Sequence, residues 1–286
     1  MEILTLKNLT FSYPEQTRRV LDDVSFSVDE GDFCVLAGGT GGGKSTLLRL
    51  CKPALAPHGT CTGEILYKGV PLDKLPARES ALRIGFVCQM PDQQIVCDKV
   101  WHELVFGLEN LGLPQKEISR RVAEMASYFG IEPWFDLPIS ALSGGQKQLL
   151  CLASVMVMRP DLLILDEPTA GLDPEGRGDL LSSIKNLHDK KGTTVILVSH
   201  SMEDVARFAS HVLIMNHSKA VMYGETREIF KRVDELCEIG LEVPQISRVF
   251  AKLREKGYEV PESVLTVAEA KDAMLKLLEK GGKADA

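Results

Sequence analysis

The feature that most restricts this chain is the run Gly38-Gly39-Thr40-Gly41-Gly42-Gly43-Lys44-Ser45-Thr46, set between an apolar, β-rich stretch (residues 33–37) and apolar Leu47-Leu48. It satisfies G-x-x-x-x-G-K-[ST] in the context that gives this spacing meaning, strand then loop then helix. Glycines let successive backbone N–H groups turn inward, and a helix N-terminus adds partial positive charge. Such a loop cradles phosphate. Lys44 is placed to bring a point charge to the β- and γ-phosphates of a nucleotide, and Ser45 to offer a hydroxyl to Mg2+.

The rest of the chain supplies the sheet that such a loop needs. Short apolar runs recur at residues 3–6, 24–28, 33–37, 64–67, 84–88, 162–166, 194–199, 212–215 and 220–223. Several are apolar at nearly every position, as in strands covered on both faces of a parallel sheet. Between residues 98 and 158 the period becomes helical, with Ile118, Val122, Met125 and Phe129 on one face. A helical block inside an α/β pattern reads as an inserted subdomain. Beyond about residue 230 the texture turns charged and helix-prone, and Ile246, Val249, Phe250 and Leu253 are predicted to form one short stripe. Thr266 and Glu269 match a capping box opening a further helix, with Met274, Leu277 and Leu278 apolar and Gly281 just past its end. Residues 282–286 are expected to be disordered.

A second strand carries the other half of the chemistry. Leu162-Leu163-Ile164-Leu165 ends in Asp166 and Glu167. Asp166 is placed to hold a metal through water, and Glu167 to orient and deprotonate an attacking water. Acids often end strands, so the pair gains its meaning from Lys44.

Composition closes off several classes. The 286 residues carry 33 lysines and arginines against 40 aspartates and glutamates, a net charge of −7, which argues against sequence-independent nucleic-acid binding. Every uncharged run is far shorter than the roughly 18 residues of a transmembrane helix, so a membrane role is expected to act through a partner. The N-terminus has no signal-peptide pattern. The seven cysteines are scattered, with no C-x-x-C pair, and read as reduced, small hydrophobes of a cytosolic protein. His58 and Cys61 have ligand-like spacing, but nothing completes a set.

Leu142-Ser143-Gly144-Gly145-Gln146, just before a predicted helix and upstream of Asp166, gives the chain a clear resemblance to the ABC-type ATPases, whose signature sequence this is. Other family parts follow in order: Tyr13 resembles the aromatic that stacks on adenine, Gln89 the Q-loop glutamine, Ala170-Gly171-Leu172-Asp173 the D-loop, and His200 the switch histidine on the γ-phosphate. The resemblance spans about residues 1–230. It implies an α/β fold, a P-loop NTPase core of ABC type, with an antiparallel β subdomain, an inserted helical subdomain at about residues 92–158, and a small, mainly helical C-terminal extension over residues 231–286. It also implies Mg2+ held by Ser45, Asp166 and Gln89, and ATP bound between the phosphate loop of one subunit and the signature of another. Physically, Ser143-Gly144-Gly145 is a further set of backbone donors at a helix N-terminus, so one chain carries two half-sites for one nucleotide.

Within that family, Gln89-Met90-Pro91-Asp92-Gln93-Gln94, the segment Val100-Trp101-His102-Glu103-Leu104-Val105-Phe106-Gly107, and Glu238-Ile239-Gly240-Leu241-Glu242-Val243-Pro244-Gln245 resemble the energy-coupling factor transporter ATPases. That resemblance implies a homodimer, or a heterodimer with a related ATPase, peripheral on the cytoplasmic face of the membrane. Its partners would be a membrane coupling protein and a substrate-capturing membrane subunit for a vitamin or a metal ion such as cobalt or nickel. Asp92 would meet an arginine of the coupling protein; the plain alternative is a turn after Pro91. Three positions depart from the pattern: Gly42 where many relatives have serine, Leu149 where they usually carry arginine, and Cys88 in place of a bulkier residue. The runner-up readings are an ATPase of another transporter class and a soluble ABC protein acting on ribosomes or DNA. The chain carries a single ATPase module and no sustained heptads, which disfavours the second.

Overall fold

A computed structural model describes residues 1–281 apart from Thr17; the segment 282–286, expected to be disordered, lies outside the described residues. Its strands in chain order are β1 (Glu2–Ser12), β2 (Leu21–Asp29), β3 (Phe33–Gly38), β4 (Thr60–Tyr67), β5 (Val70–Pro71), β6 (Ile84–Val87), β7 (Leu162–Leu165), β8 (Thr194–Val198), β9 (His211–Asn216) and β10 (Lys219–Glu225). The helices are α1 (Lys44–Leu50), α2 (Ala77–Arg83), α3 (Val100–Asn110), α4 (Gln115–Phe129), α5 (Gly144–Met156), α6 (Pro174–Lys191), α7 (Met202–Phe208), α8 (Thr226–Ile229), α9 (Val233–Glu238), α10 (Gln245–Glu255) and α11 (Val267–Gly281).

Two sheets result. Antiparallel β2-β1-β4-β5 forms one, and β10-β9-β3-β8-β7-β6 the other, in which every pair except β9–β10 is parallel. The continuous apolar runs have the expected cause: every residue of β3, β6, β7 and β8 is buried. The two-residue alternation splits each strand between two cores. Phe33, Val35, Leu163, Leu165, Val195 and Leu197 join the core built by α3 to α6, whereas Cys34, Leu36, Ile164 and Ile196 join the one beneath the antiparallel sheet and α1. The architecture is the α/β one the sequence implies, with its antiparallel and helical additions.

The helical stripe on α4 faces inward as its spacing predicts: Ile118, Val122 and Met125 are buried and Phe129 half-buried against the same core. The stripe on α10 is a correction. Phe250 is buried, with Ile246 packed beside it, but Val249 is 50% exposed. The reason is which residues α10 meets. A small cluster of Phe250, Val264 and Ala270, together with a hydrogen bond from Ser247 Oγ to the Val264 carbonyl at 2.8 Å, turns the helix so that Ser247 rather than Val249 lies inside. The cap on α11 forms, with Thr266 Oγ1 accepting from the Glu269 amide at 3.3 Å and the Glu269 carboxylate accepting from the Leu265 amide at 2.9 Å. The helix runs through Gly281, the last described residue, rather than stopping before it.

Strand order gathers the motif-bearing segments at one edge of the sheet. Strands β3, β8, β7 and β6 are consecutive neighbours and parallel. The segments leaving their carboxyl ends, those bearing Gly38–Thr46, His200, Asp166-Glu167 and Gln89, therefore emerge side by side, where open α/β sheets bind ligands.

Candidate functional site

The loop after β3 needs glycine at two positions for steric reasons. A Cβ on Gly38 (φ +147°) would stand 2.1 Å from the Met215 carbonyl oxygen of β9, and one on Gly43 (φ +93°) 2.5 Å from that of Val20. The loop thus presses against neighbouring backbone and leaves its other side to a cavity of about 390 Å³. That cavity is lined by Val20, the stretch from Thr40 through Gly41, Gly42, Gly43, Lys44 and Ser45 to Thr46, and Gln89, Glu167 and His200. Five segments far apart in sequence thus share one wall.

The side chains of Lys44, Ser45, Gln89, Asp166, Glu167 and His200 each have a definite partner. Lys44 is 5% exposed, and its ammonium donates to the carbonyls of Gly38 and Gly39, both at 2.9 Å. Burial holds its pKa below the usual lysine value, with Glu167 and Asp166 pulling the other way. Ser45 Oγ donates to Asp166 Oδ1 at 2.8 Å. Asp166 is 1% exposed; burial lifts its carboxyl above the ordinary range, against the pull of the Ser45 hydrogen bond and Arg49. No cation bonds Asp166 among the described residues. A buried carboxylate without a bonded cation, adjoining a hydroxyl, is a pair of hard oxygen donors that fits Mg2+. Glu167 sits between two partners, accepting from Gln89 Nε2 at 3.0 Å through Oε2 and lying 2.8 Å from His200 Nε2 through Oε1. Its backbone is left-handed (φ 49°), a conformation that turns the chain sharply after β7.

Tyr13 is half-buried and held by two neighbours. Its ring meets Phe11 edge-on, centroids 5.1 Å apart, and its hydroxyl lies 3.1 Å from Thr46 Oγ1. The D-loop residues Ala170, Gly171 and Leu172 line an adjoining cavity of about 370 Å³ that shares Glu167 and His200 as a wall, and Asp173 caps α6 by accepting from the Gly176 amide at 3.1 Å.

The signature lies elsewhere. Leu142 is buried, and Ser143 begins α5 with a reciprocal cap: Ser143 Oγ accepts from the Gln146 amide at 3.3 Å, and Gln146 Oε1 from the Ser143 amide at 2.8 Å. Leu142, Ser143, Gly144, Gly145 and Gln146 do not line the phosphate-loop cavity. Asp92 is exposed on a short 3-10 turn and accepts from Lys147 Nζ at 2.8 Å. Sequence reasoning missed this partner and the bolt it belongs to. Lys147, Gln148 and Cys151, on one face of α5, reach Asp92, the Cys88 carbonyl (3.4 Å) and the Pro91 carbonyl (3.9 Å). Buried Glu103 holds the following loop through the Val96 and Cys97 amides. No local signal marks these contacts, since Asp92 and Lys147 are 55 residues apart in sequence.

A family model described as "ABC transporter" matches residues 21–170, more than half of the chain. An energy-coupling factor transporter ATP-binding protein, EcfA2 of Clostridioides difficile, is 42% identical over 287 residues, covering 98% of this chain and 99% of that protein. The structure of cbiO1 from Clostridium perfringens, described as part of the ABC transporter complex cbiONQ, superposes with a TM-score of 0.73 at 32% identity, covering 87% of this chain and 99% of that one. The dimeric structure of a bacterial ABC transporter cassette superposes with a TM-score of 0.67 at 25% identity, covering 78% and 99%. With a family model over more than half of the chain and relatives aligned over nearly its whole length, the chain belongs to the ABC transporter ATP-binding family as an ATP-hydrolysing subunit of the energy-coupling factor type.

Proposed function

We propose that this chain hydrolyses Mg-ATP as the peripheral ATPase of an importer whose membrane subunits carry a vitamin or a transition-metal ion such as cobalt or nickel. The observation that carries the chemistry is Glu167, held between Gln89 and His200 on the wall of the phosphate-loop cavity. The loop amides from Thr40 to Thr46 bind the phosphates, and Lys44 leaves the Gly38 and Gly39 carbonyls for the γ-phosphate. Tyr13 leaves Thr46 to stack on the adenine. Ser45 and Asp166, with the amide oxygen of Gln89, would hold Mg2+, which would supply positive charge against the phosphate oxygens. Glu167 orients a water and takes its proton as the water oxygen bonds to the γ-phosphorus and the bond to the β–γ bridging oxygen breaks. His200 hydrogen-bonds the γ-phosphate and steadies Glu167.

That no residue from Leu142 to Gln146 lines that cavity supports pairing in trans. The Ser143–Gly145 amides at the start of α5 serve the nucleotide of a second subunit, which is this chain again or a related ATPase. We assign Ala170 to Asp173, the D-loop by resemblance, to the same junction, because Ala170, Gly171 and Leu172 share a cavity with Glu167 and His200. No described helix is long and apolar enough to cross a membrane, which fits a subunit held at the cytoplasmic face by others. The exposed turn bearing Asp92 is the contact we assign to an arginine of the coupling protein, which would take the carboxylate from Lys147.

The test is uptake by native cells whose chromosomal copy carries Glu167→Gln. Loss of uptake of at least one labelled vitamin, or of cobalt or nickel, supports the assignment. Unchanged uptake of all of them rejects it.

A further inference from the structure

A cavity of about 340 Å³ opens between α4, α5 and α6, apart from the phosphate-loop cavity. Its walls are aromatic and aliphatic: Tyr128, Phe129 and Trp134 on one side, Leu149 and Leu172 on the other. Tyr128 and Phe129 meet edge to face with centroids 4.9 Å apart, and the Tyr128 hydroxyl donates to the Ser183 carbonyl at 3.0 Å, so these rings are fixed in place. All five side chains are only partly covered. The charged groups at the rim have one sign. Asp173 and Asp179 line the cavity, no lysine or arginine does, and neither carboxylate has an ion-pair partner among the described residues.

We propose that this cavity binds a small organic cation with a flat apolar body, of the arylamidinium or arylammonium class. Three features select that chemistry. The volume lies at the small end of ligand pockets, about 300–1,000 Å³, and suits one or two rings. Aromatic faces attract a cation through their quadrupole while covering its apolar part. The Asp179 carboxylate supplies a charge-assisted hydrogen bond to a planar amidinium that it cannot give to a neutral or anionic analogue.

The position gives binding a consequence. The cavity is walled by Gly145 and Gln146 at the start of α5 and by Leu172 and Asp173 just before α6, and a Cβ on Gly145 would come within 3.4 Å of Leu172. An occupant touches both segments at once and resists any change in their spacing. Slowed turnover on binding rests on the reading of these segments as signature and D-loop; binding itself does not.

The test uses the full chain and benzamidine as probe, with benzamide as the neutral analogue and benzoate as the anion. The chain has two tryptophans, so Trp101→Phe leaves Trp134 as the reporter, and calorimetry on the unmodified chain gives the same affinity independently. Benzamidine binds saturably and at least about tenfold more tightly than benzamide, and benzoate does not bind. Asp179→Asn weakens it about fivefold or more, and Leu149→Arg, which puts a cation in the cavity, abolishes it. Equal affinity for benzamide, a signal that never saturates, or binding unaffected by both substitutions overturns the site. Saturable, Asp179-dependent binding that leaves ATP turnover unchanged keeps the site and overturns its coupling to the signature.

Discussion

Replacing Glu167 by glutamine separates the proposed chemistry from everything else the residue does. The side chain is isosteric and meets the same left-handed backbone requirement. Its two present contacts survive in neutral form: the amide oxygen accepts from Gln89 Nε2, now at 3.0 Å from the carboxylate, and the amide nitrogen donates to His200 Nε2, now at 2.8 Å, once that ring carries its proton on Nδ1. Exchanging charge-assisted for neutral hydrogen bonds changes stability by about 1 kcal/mol, or about 2–4 °C in Tm for a chain of this size. Loss of the base is far larger. General base catalysis contributes roughly 10²- to 10⁴-fold, which at 1.36 kcal/mol per decade is about 2.7–5.4 kcal/mol of barrier. The expected variant folds, binds ATP as the parent does, and releases phosphate at least about 100-fold more slowly. Light scattering should show ATP holding it in a dimer. Turnover within a few-fold of the parent would refute the assignment of Glu167 as base. A loss of turnover accompanied by loss of ATP binding would refute the structural argument instead.

Other consequences follow from single contacts. Gly38→Ala places a methyl group 2.1 Å from the Met215 carbonyl oxygen, so β3 and β9 must part; thermal unfolding should fall by roughly 6 °C or more, with ATP binding lost. Ser143→Ala removes the cap of α5 at a cost of about 1 kcal/mol, read as a fall in Tm of about 2–4 °C, while Ser143→Asp should keep the cap. Asp92→Arg sets a cation against Lys147 and should weaken capture of the membrane partner while ATP affinity, measured by calorimetry, stays put. Lys52, which donates to the Ser80 and Ile84 carbonyls, has its pKa lowered by burial to about 8. The folded chain thus sheds this proton at a pH where the unfolded chain keeps it, and the parent gains stability over Lys52→Met by up to about 2 kcal/mol between pH 8 and 9.5. Buried Cys34, Cys51 and Cys151, whose thiols are pushed up, act against stability in the same window but are common to both chains and cancel in the urea-midpoint difference.

The strands were legible because burial on both faces writes itself as an unbroken apolar run; β7 and β8 could be read as they stand. β5 was not, since two residues ending in a proline at a sheet edge carry no periodicity. Spacing along α4 gave its buried face because that helix packs on a large core. The same reasoning failed on α10, where a cluster of three buried residues decides the rotation and a buried serine replaces an apolar side chain in the stripe. Motifs located Lys44, Asp166, Glu167, Gln89 and His200, but not their mutual bonds. That Gln89 and His200 both hold Glu167 depends on the order β3-β8-β7-β6, which no local pattern encodes. Lys147 was invisible for the same reason: its partner Asp92 is 55 residues away, brought close only by the packing of α5 on β6.

An ATPase of the proposed kind acts beneath membrane proteins. Capture of the tagged chain from gently solubilised native membranes, followed by identification of what accompanies it, tests that most directly. Small, very hydrophobic partners are expected in fixed ratio, retained by the parent and reduced by Asp92→Arg, with a second ATPase among them if the pair is mixed. Ribosomal or DNA-bound partners, with nothing from the membrane, would contradict it.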